Sequence, residues 1–385
     1  MLLLLSSFSI TLFLYFLIQS IIQIDALSNQ LHASIAPSVR KSDCRLEAIN
    51  IVCNRWTWAP VFIRVYLIGI FETVYIALCK RGLFKHSLSQ HLNEQQVDTL
   101  MQSYENTTPQ TAVITGGDSG IGLEICKGLL GSGFHVIMGT RSLELGQRAV
   151  DSLKKQTGSD KVSCIELDLT LFRSVKKFAA EIKKKIPQYQ LQLLINNAGV
   201  MNIPCELTKD GYETQCQTNF LSPTLLTQLL LPWMDTKSGR VLFASSSTLY
   251  AINDLDTTFS SYTYGWNGLE HYAYSKACIA HIAARLARST RVKIYAYHPG
   301  TVRTKLFAHT TVFNLPFVSK MFDFIMLTPK EGSLTPLQLC LREDLGDSGT
   351  YWANGRLQTV PDVLINGKKD NIDALWKDTL SKCGI

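Results

Sequence analysis

From about Gln110 onward, short and mostly apolar runs alternate with longer stretches whose apolar residues recur every three to four positions. Thr111 to Thr115, Phe134 to Gly139, Val162 to Leu167 and Leu191 to Ile195 have the length and composition of buried strands. Ile121 to Leu130, Leu143 to Lys155 and Phe172 to Ile186 lie between them with helical spacing. Val241 to Ala244 and Val292 to Tyr297 add strands, and Tyr212 to Trp233 and Tyr272 to Ala287 add helices. Strand and helix in repeated alternation require right-handed crossovers and a sheet covered on both faces. The pattern predicts an α/β fold, a Rossmann-type doubly wound parallel sheet, formed by residues 109–385 as one domain.

The leading hundred residues have another pattern. Met1 to Ile24 carries no charged side chain. As a helix it would be roughly 36 Å long, enough to cross a hydrocarbon core of ~30 Å. Ala26-Leu27-Ser28 offers a cleavage site, so residues 1–24 read as a signal-anchor or a signal peptide. The length of the run and the lack of basic residues before it favour the anchor. Residues 25–108 form a membrane-associated region with a second hydrophobic helix at 56–79. That helix contains Arg64 and Glu72, costly in lipid unless shielded, so it either spans or lies in the interface. Lys80, Arg81 and Lys85 after it favour a cytosolic position for the chain downstream. Arg40, Lys41, Arg45 and Arg55 compete for the same side, and the topology stays open.

Composition changes this picture little. The chain has 385 residues, 46% of them hydrophobic, which suits one large domain with an appendage. The net charge of +7 is scattered, which argues against nucleic acid as a partner. Ten cysteines form no Cys-x-x-Cys pair, so no metal site is expected and most should be buried reduced thiols. The sequon Asn106-Thr107-Thr108 matters only if that segment is lumenal.

Chemistry concentrates at the ends of the predicted strands. The first runs into Thr115-Gly116-Gly117-Asp118-Ser119-Gly120-Ile121-Gly122, where glycines permit a tight turn and the next helix points its N-terminus at a phosphate. Downstream, Tyr272 and Lys276 are four residues apart, on one face of a predicted helix. An ammonium beside a phenol favours the phenolate, and such a tyrosine exchanges a proton with an alcohol or a carbonyl. Tyr274 is the fallback, but Cys278 rather than lysine comes one turn after it. Among Ser245, Ser246 and Ser247, strand alternation sets Ser246 on the face opposite its neighbours.

The glycine spacing resembles that of the short-chain dehydrogenase/reductase superfamily, and the likeness extends across nearly all of 109–385. Asn196-Asn197-Ala198-Gly199 is similar to the family's strand-end motif beside the cofactor, and Pro299-Gly300-Thr301 to the turn that touches the nicotinamide amide. Asp168 falls where the family contacts adenine. Asn219, Ser246, Tyr272 and Lys276 fall where its catalytic tetrad lies. Within the family the chain looks nearest the membrane-associated retinol-dehydrogenase-like branch, whose N-terminal hydrophobic segment Arg64 to Arg81 also resembles.

The resemblance implies a residue-by-residue mechanism. Tyr272 would exchange the proton, Lys276 would lower its pKa and hold the ribose, Ser246 would bind the reacting oxygen, and Asn219 would hold a relay water. Gly116, Ser119, Gly120, Ile121, Gly122, Asn197, Ala198, Gly199, Pro299, Gly300 and Thr301 would contact the cofactor. Arg141 stands where an acidic residue would select NAD, which favours NADP(H) over NAD(H). Asp118 tempers that preference, since some NADP-preferring members carry a basic residue there.

Two stretches bear on substrate. The interval from Ser246 to Tyr272, with Tyr262, Tyr264 and Trp266, is long for the family and reads as part of the substrate entrance. Leu306 to Leu327 contains Phe307, Val312, Phe313, Phe317, Met321, Phe322, Phe324 and Ile325, an apolar cover over the site. With membrane attachment, these predict a lipophilic alcohol or aldehyde of retinoid, polyprenoid or steroid type, at the endoplasmic reticulum with the catalytic domain cytosolic. A lumenal or secreted protein results if the leader is cleaved. The competing class is a catalytically silent membrane scaffold that keeps the fold to bind nucleotide. A homodimer is compatible with either.

Overall fold

The computed structural model describes residues 2–34, 44–81, 93–104, 110–253, 255, 267–304, 306, 325–360 and 369–385. Among the described residues, four α-helices come first: α1 (Leu2–Ser34), α2 (Arg45–Cys53), α3 (Val61–Lys80) and α4 (Glu94–Ser103). The alternating region begins with β1 (Thr111–Thr115), α5 (Gly120–Gly131), β2 (His135–Thr140), α6 (Leu143–Thr157), β3 (Val162–Glu166), α7 (Phe172–Lys185) and β4 (Leu191–Asn196). Beyond it come α8 (Thr214–Cys216), α9 (Ser222–Leu230), β5 (Arg240–Ala244), α10 (Gly268–Ala287), β6 (Lys293–His298), α11 (Pro329–Leu341), β7 (Thr350–Ala353), β8 (Arg356–Gln358) and α12 (Lys369–Cys383).

The strands form one eight-stranded sheet in the order β3-β2-β1-β4-β5-β6-β7-β8. Neighbours run parallel through β7, and β8 turns back antiparallel on β7, the one departure from the all-parallel expectation. The order reverses direction between β1 and β4, so the carboxyl ends of these strands flank the crevice where such sheets bind ligands.

Alternation along each strand divides the core in two. Val113, Ile137, Leu194, Phe243 and Ala296 face the layer of α7, α9 and α10, together with α1 to α3. Ala112, Ile114, Met138, Ile195 and Tyr297 face the layer of α4, α5, α6 and α11. All ten cysteines are free thiols, eight of them buried.

The N-terminal helices differ from the sequence reading in two ways. Helix α1 continues past Ile24 to Ser34, held by a hydrogen bond from the Tyr75 hydroxyl to Asp25 (2.9 Å). Trp56 closes a short 3-10 turn and Pro60 caps α3, so the second hydrophobic helix starts at Val61 rather than 56. Both α1 and α3 are long and apolar enough to cross a membrane. Yet the charges inside α3 are shielded by protein. The Arg64 guanidinium is buried and donates to Asn253 (3.0 Å), and Glu72 is fully buried against Ser247 and His298. The cost expected of these charges in lipid is therefore met by docking α3 on the domain. Residues 82–92 with Lys85, residues 35–43 with Arg40 and Lys41, and the sequon at 106–108 lie outside the described residues.

Candidate active site

The glycine turn after β1 takes the form its sequence implies. Gly116 and Gly120 adopt positive φ (63° and 56°), a region side chains rarely enter. At Gly122 a Cβ would stand 2.1 Å from the Gly116 carbonyl oxygen, so this position accepts no side chain without moving the backbone. Helix α5 starts from Ser119 with no side-chain cap, leaving its first N–H groups directed into the crevice. The end of β4 is fastened to the turn. Asn197 donates its side-chain amide to the carbonyls of Thr115 (3.2 Å) and Gly116 (3.3 Å), and the Thr115 hydroxyl accepts from the N–H of Ala198 (3.0 Å).

These elements wall a cleft of about 800 Å³, together with Arg141, Gly199, Tyr272, Lys276 and Pro299. An open glycine turn, an uncapped helix N-terminus and this volume fit a dinucleotide. Of the residues expected at the cofactor, Gly116, Ser119, Gly120, Ile121, Gly122, Arg141, Asn197, Ala198, Gly199, Tyr272, Lys276 and Pro299 line the cleft. Gly300 and Thr301 line an adjoining apolar cavity instead. Asp168 lines neither: its carboxylate accepts from the backbone N–H (2.9 Å) and hydroxyl (2.7 Å) of Thr170.

The proton-transfer group sits where cleft and cavity meet. Tyr272 lines both, as do Met201, Ser245 and Pro299. Ser246 hydrogen-bonds the Tyr272 phenol, while Ser245 donates to the Lys276 carbonyl (2.7 Å) and Ser247 to Glu72 (2.5 Å). Three successive serines thus serve three partners; they lie beyond the end of β5, where strand alternation no longer applies, and Ser246, the serine that the family resemblance picks, is the one that faces the phenol. The Lys276 ammonium lies 5.6 Å from the Tyr272 ring and donates to the Ala244 carbonyl (2.7 Å).

Burial dominates both titrations. It pushes the Tyr272 phenol up to about 12; the Ser246 hydrogen bond lowers it and the Glu72 carboxylate raises it further. Burial pushes Lys276 down to about 7. The expected lowering of Tyr272 by Lys276 is not what this geometry produces, because desolvation outweighs a lysine whose head is turned to the Ala244 carbonyl.

Asn219 lies in a widened turn within a helix expected to be regular throughout. Instead of one helix from Tyr212 to Trp233, α8 passes into a π-turn over Gln217–Leu221 and then into α9. Pro223 has no N–H to give the Asn219 carbonyl four residues back, a physical reason for the wider turn. The Asn219 side chain clasps Val200, accepting from its N–H and donating to its carbonyl (both 2.9 Å), and it also donates to Ser275 (3.0 Å). Gly199 permits this approach, since a Cβ there would stand 3.2 Å from Asn219 and 3.3 Å from the Lys276 ammonium.

Some cleft residues escaped the sequence reading, among them two with polar chemistry. Arg303 and Thr304, just past Pro299-Gly300, also line the cleft. A basic residue and a hydroxyl that close behind a cofactor turn were the available signal. Tyr262, Tyr264 and Trp266, and the apolar cover from Phe307 to Phe324, lie outside the described residues.

The family profile for short chain dehydrogenase matches residues 110–312. The chain belongs to the short-chain dehydrogenase/reductase family, whose chemistry is NAD(P)-dependent oxidoreduction, and within it to the retinol-dehydrogenase-like branch. It is 34% identical to bovine dehydrogenase/reductase SDR family member 13 over 72% of this chain and 74% of that protein. Human polyprenol dehydrogenase is 31% identical over 72% of this chain and 86% of its own length. Human retinol dehydrogenase 12 is likewise 31% identical, over 72% of this chain and 87% of that protein. Among solved structures, an uncharacterized protein from Mycobacterium paratuberculosis superposes with a TM-score of 0.58 at 25% identity, covering 74% of this chain and 97% of that one. A short-chain dehydrogenase from Shigella flexneri complexed with NADP shares the fold at a TM-score of 0.51 and 22% identity, over 64% of this chain and 96% of its own.

Proposed function

We propose that the protein is a membrane-associated oxidoreductase that interconverts a lipophilic alcohol and its aldehyde or ketone, with Tyr272 as the proton-transfer group and NADP(H) as the preferred cofactor. The observation that carries this reading is the place of Tyr272, on the wall shared by the dinucleotide cleft and an apolar cavity, in hydrogen bond with Ser246. A bound nicotinamide cofactor would supply hydride exchange at the carbon of the reacting group. Gly116, Gly120, Gly122 and the N-terminus of α5 would hold the phosphates, and Lys276 the ribose. Ser246 holds the substrate oxygen where charge develops, and Tyr272 gives that oxygen a proton in reduction and takes one in oxidation. Lys276, titrating near neutrality, replenishes the phenol, with Asn219 fixing the strand end behind it.

Polyprenol and retinol, the substrates in the names of two relatives, support a lipid alcohol. So does the apolar lining of the cavity, with Val65, Ile70, Leu269 and Val302. The exposed apolar face of α1 (Leu14, Ile18 and Ile22 among others) supports attachment to a membrane, with the endoplasmic reticulum and a cytosolic catalytic domain as the favoured setting. Arg141 at the cleft supports NADP(H), through its charge toward a 2′-phosphate.

Tyr272→Phe tests the reading: turnover falls by about a thousandfold or more while NADPH still binds. A variant as active as the wild type would take the proton-transfer role from Tyr272, and a cellular phenotype unchanged by Tyr272→Phe, with NADPH still bound and no turnover by either protein, would leave a nucleotide-binding scaffold as the function. Arg141→Glu tests the cofactor. NADPH affinity should fall at least about tenfold with NADH affinity little changed, measured by fluorescence titration. Equal losses for the two would remove Arg141 from that role.

A further inference from the structure

Helix α3 turns one face to the apolar cavity. Val65, Gly69 and Thr73 recur every four residues, with Tyr66 and Ile70 beside them, and all five line it. Tyr272, Ser246 and Gly300 form the opposite side. Gly69 is the gap in this stripe, because a Cβ built there meets no heavy atom within 4 Å. A glycine inside an otherwise apolar helix costs stability relative to alanine by about 1 kcal/mol, so some other requirement is served by keeping the space open.

The placement of this face is fixed by polar contacts at two levels of the helix. Near its start Arg64 reaches Asn253 (3.0 Å) and the Tyr250 carbonyl (3.4 Å). One turn beyond Gly69, Glu72 accepts from the Ser247 hydroxyl (2.5 Å) and pairs with His298 Nε2 (2.6 Å). Ser247 comes directly after the serine that faces the phenol, and His298 precedes Pro299 of the cofactor cleft. A carboxylate fully buried between these two groups ties α3 to the framework of the reaction site, and removing one partner of such a contact is costly.

We propose that α3 is a wall of the substrate site, with Gly69 as the specificity-determining position that admits the apolar body of the substrate beside Tyr272. The inference rests on the alcohol–carbonyl reading of the Tyr272 site. A leucine at Gly69 finds open space for its Cβ, projects the rest of its side chain toward the cavity, and favours the helix more than glycine does.

The test uses the full-length chain in lipid nanodiscs with NADPH bound. Photolabelling by a diazirine analogue of farnesol, with unlabelled farnesol as competitor, reports occupancy without turnover. Labelling of the wild type should be suppressed by excess farnesol. Gly69→Leu should lower it at least about tenfold, while Gly69→Ala stays within about threefold of the wild type. In turnover with NADP+ as the hydride acceptor, Gly69→Leu should lower kcat/KM for farnesol by about the same factor and leave that for prenol, one isoprene unit long, within about threefold. Wild-type labelling of Gly69→Leu overturns the proposal, as does labelling that excess farnesol fails to suppress, or equal losses for the two alcohols. Failure of the alcohol–carbonyl reading has a separate signature: Tyr272→Phe as active as the wild type, or no oxidation of any alcohol, with the labelling result unaffected.

Discussion

Lys276 carries its ammonium into a buried site, where the Ala244 carbonyl accepts from it at 2.7 Å. Its pKa falls from 10.5 to about 7 because burial penalises the charged form. The unfolded chain therefore binds a proton that the folded chain releases between those two values, so stability rises with pH through that window. Below about pH 7 the full cost of the buried charge is present. Lys276→Met should then melt higher than the wild type near pH 6, the gap narrowing as pH approaches about 10, with turnover lost. Differential scanning fluorimetry across that range checks it, and a gap independent of pH would contradict the assignment. At this scale much was legible in the sequence. The Tyr272–Lys276 spacing comes from helical periodicity, the glycine turn from its motif between strand and helix, and the choice of Ser246 from the family resemblance, and the structure gathers them at one crevice. The direction of the Tyr272 shift was not legible. It depends on how much protein surrounds the phenol and on Glu72, a residue from a distant part of the chain.

Periodicity finds elements whose faces differ strongly, and it failed where they do not. The strands expected from β1 to β6 all form, with ends displaced by a residue at most. β7 and β8 are four and three residues long, too short to show a pattern. α11 carries Pro336 inside it and is buried nearly all round, which hides its helical stripe. α4 is polar along most of its length, and its start is marked by a capping box at Asn93 and Gln96 rather than by apolar spacing. The hydrophobic helices pose the reverse problem, because uniform apolarity conceals which face is used. In α1, Leu14, Ile18 and Ile22 lie four apart and are 49, 55 and 52% exposed, whereas Ile21 and Ile24 are buried. Replacing those three exposed residues by aspartate should abolish co-sedimentation with phospholipid vesicles and leave NADPH affinity unchanged. Retained sedimentation would place the attachment elsewhere.

For the whole molecule, the α/β class, the doubly wound sheet and the place of the crevice at its switch point were all legible, since they arise from the alternation of strands and helices. The relation of the N-terminal segment to that sheet was not. Arg64 and Glu72 were visible as charges that lipid would reject, but the groups that answer them come from β6 and from the turn after β5. No local pattern announces a partner so far along the chain.

That separation has a consequence in time. Glu72 and His298 are 226 residues apart, and Glu72 and Ser247 are 175 apart. At a synthesis rate of roughly 5–20 residues per second, α3 leaves the ribosome roughly 10–45 s before its last docking partner exists. Until the turn after β5 and then β6 emerge, the arginine and glutamate inside this hydrophobic helix lack the groups that answer them, and of the elements it packs against only α1 and α2 precede it. The contacts that seat α3, the proposed substrate wall, therefore form only after β6 has been made, however early α3 itself is synthesised.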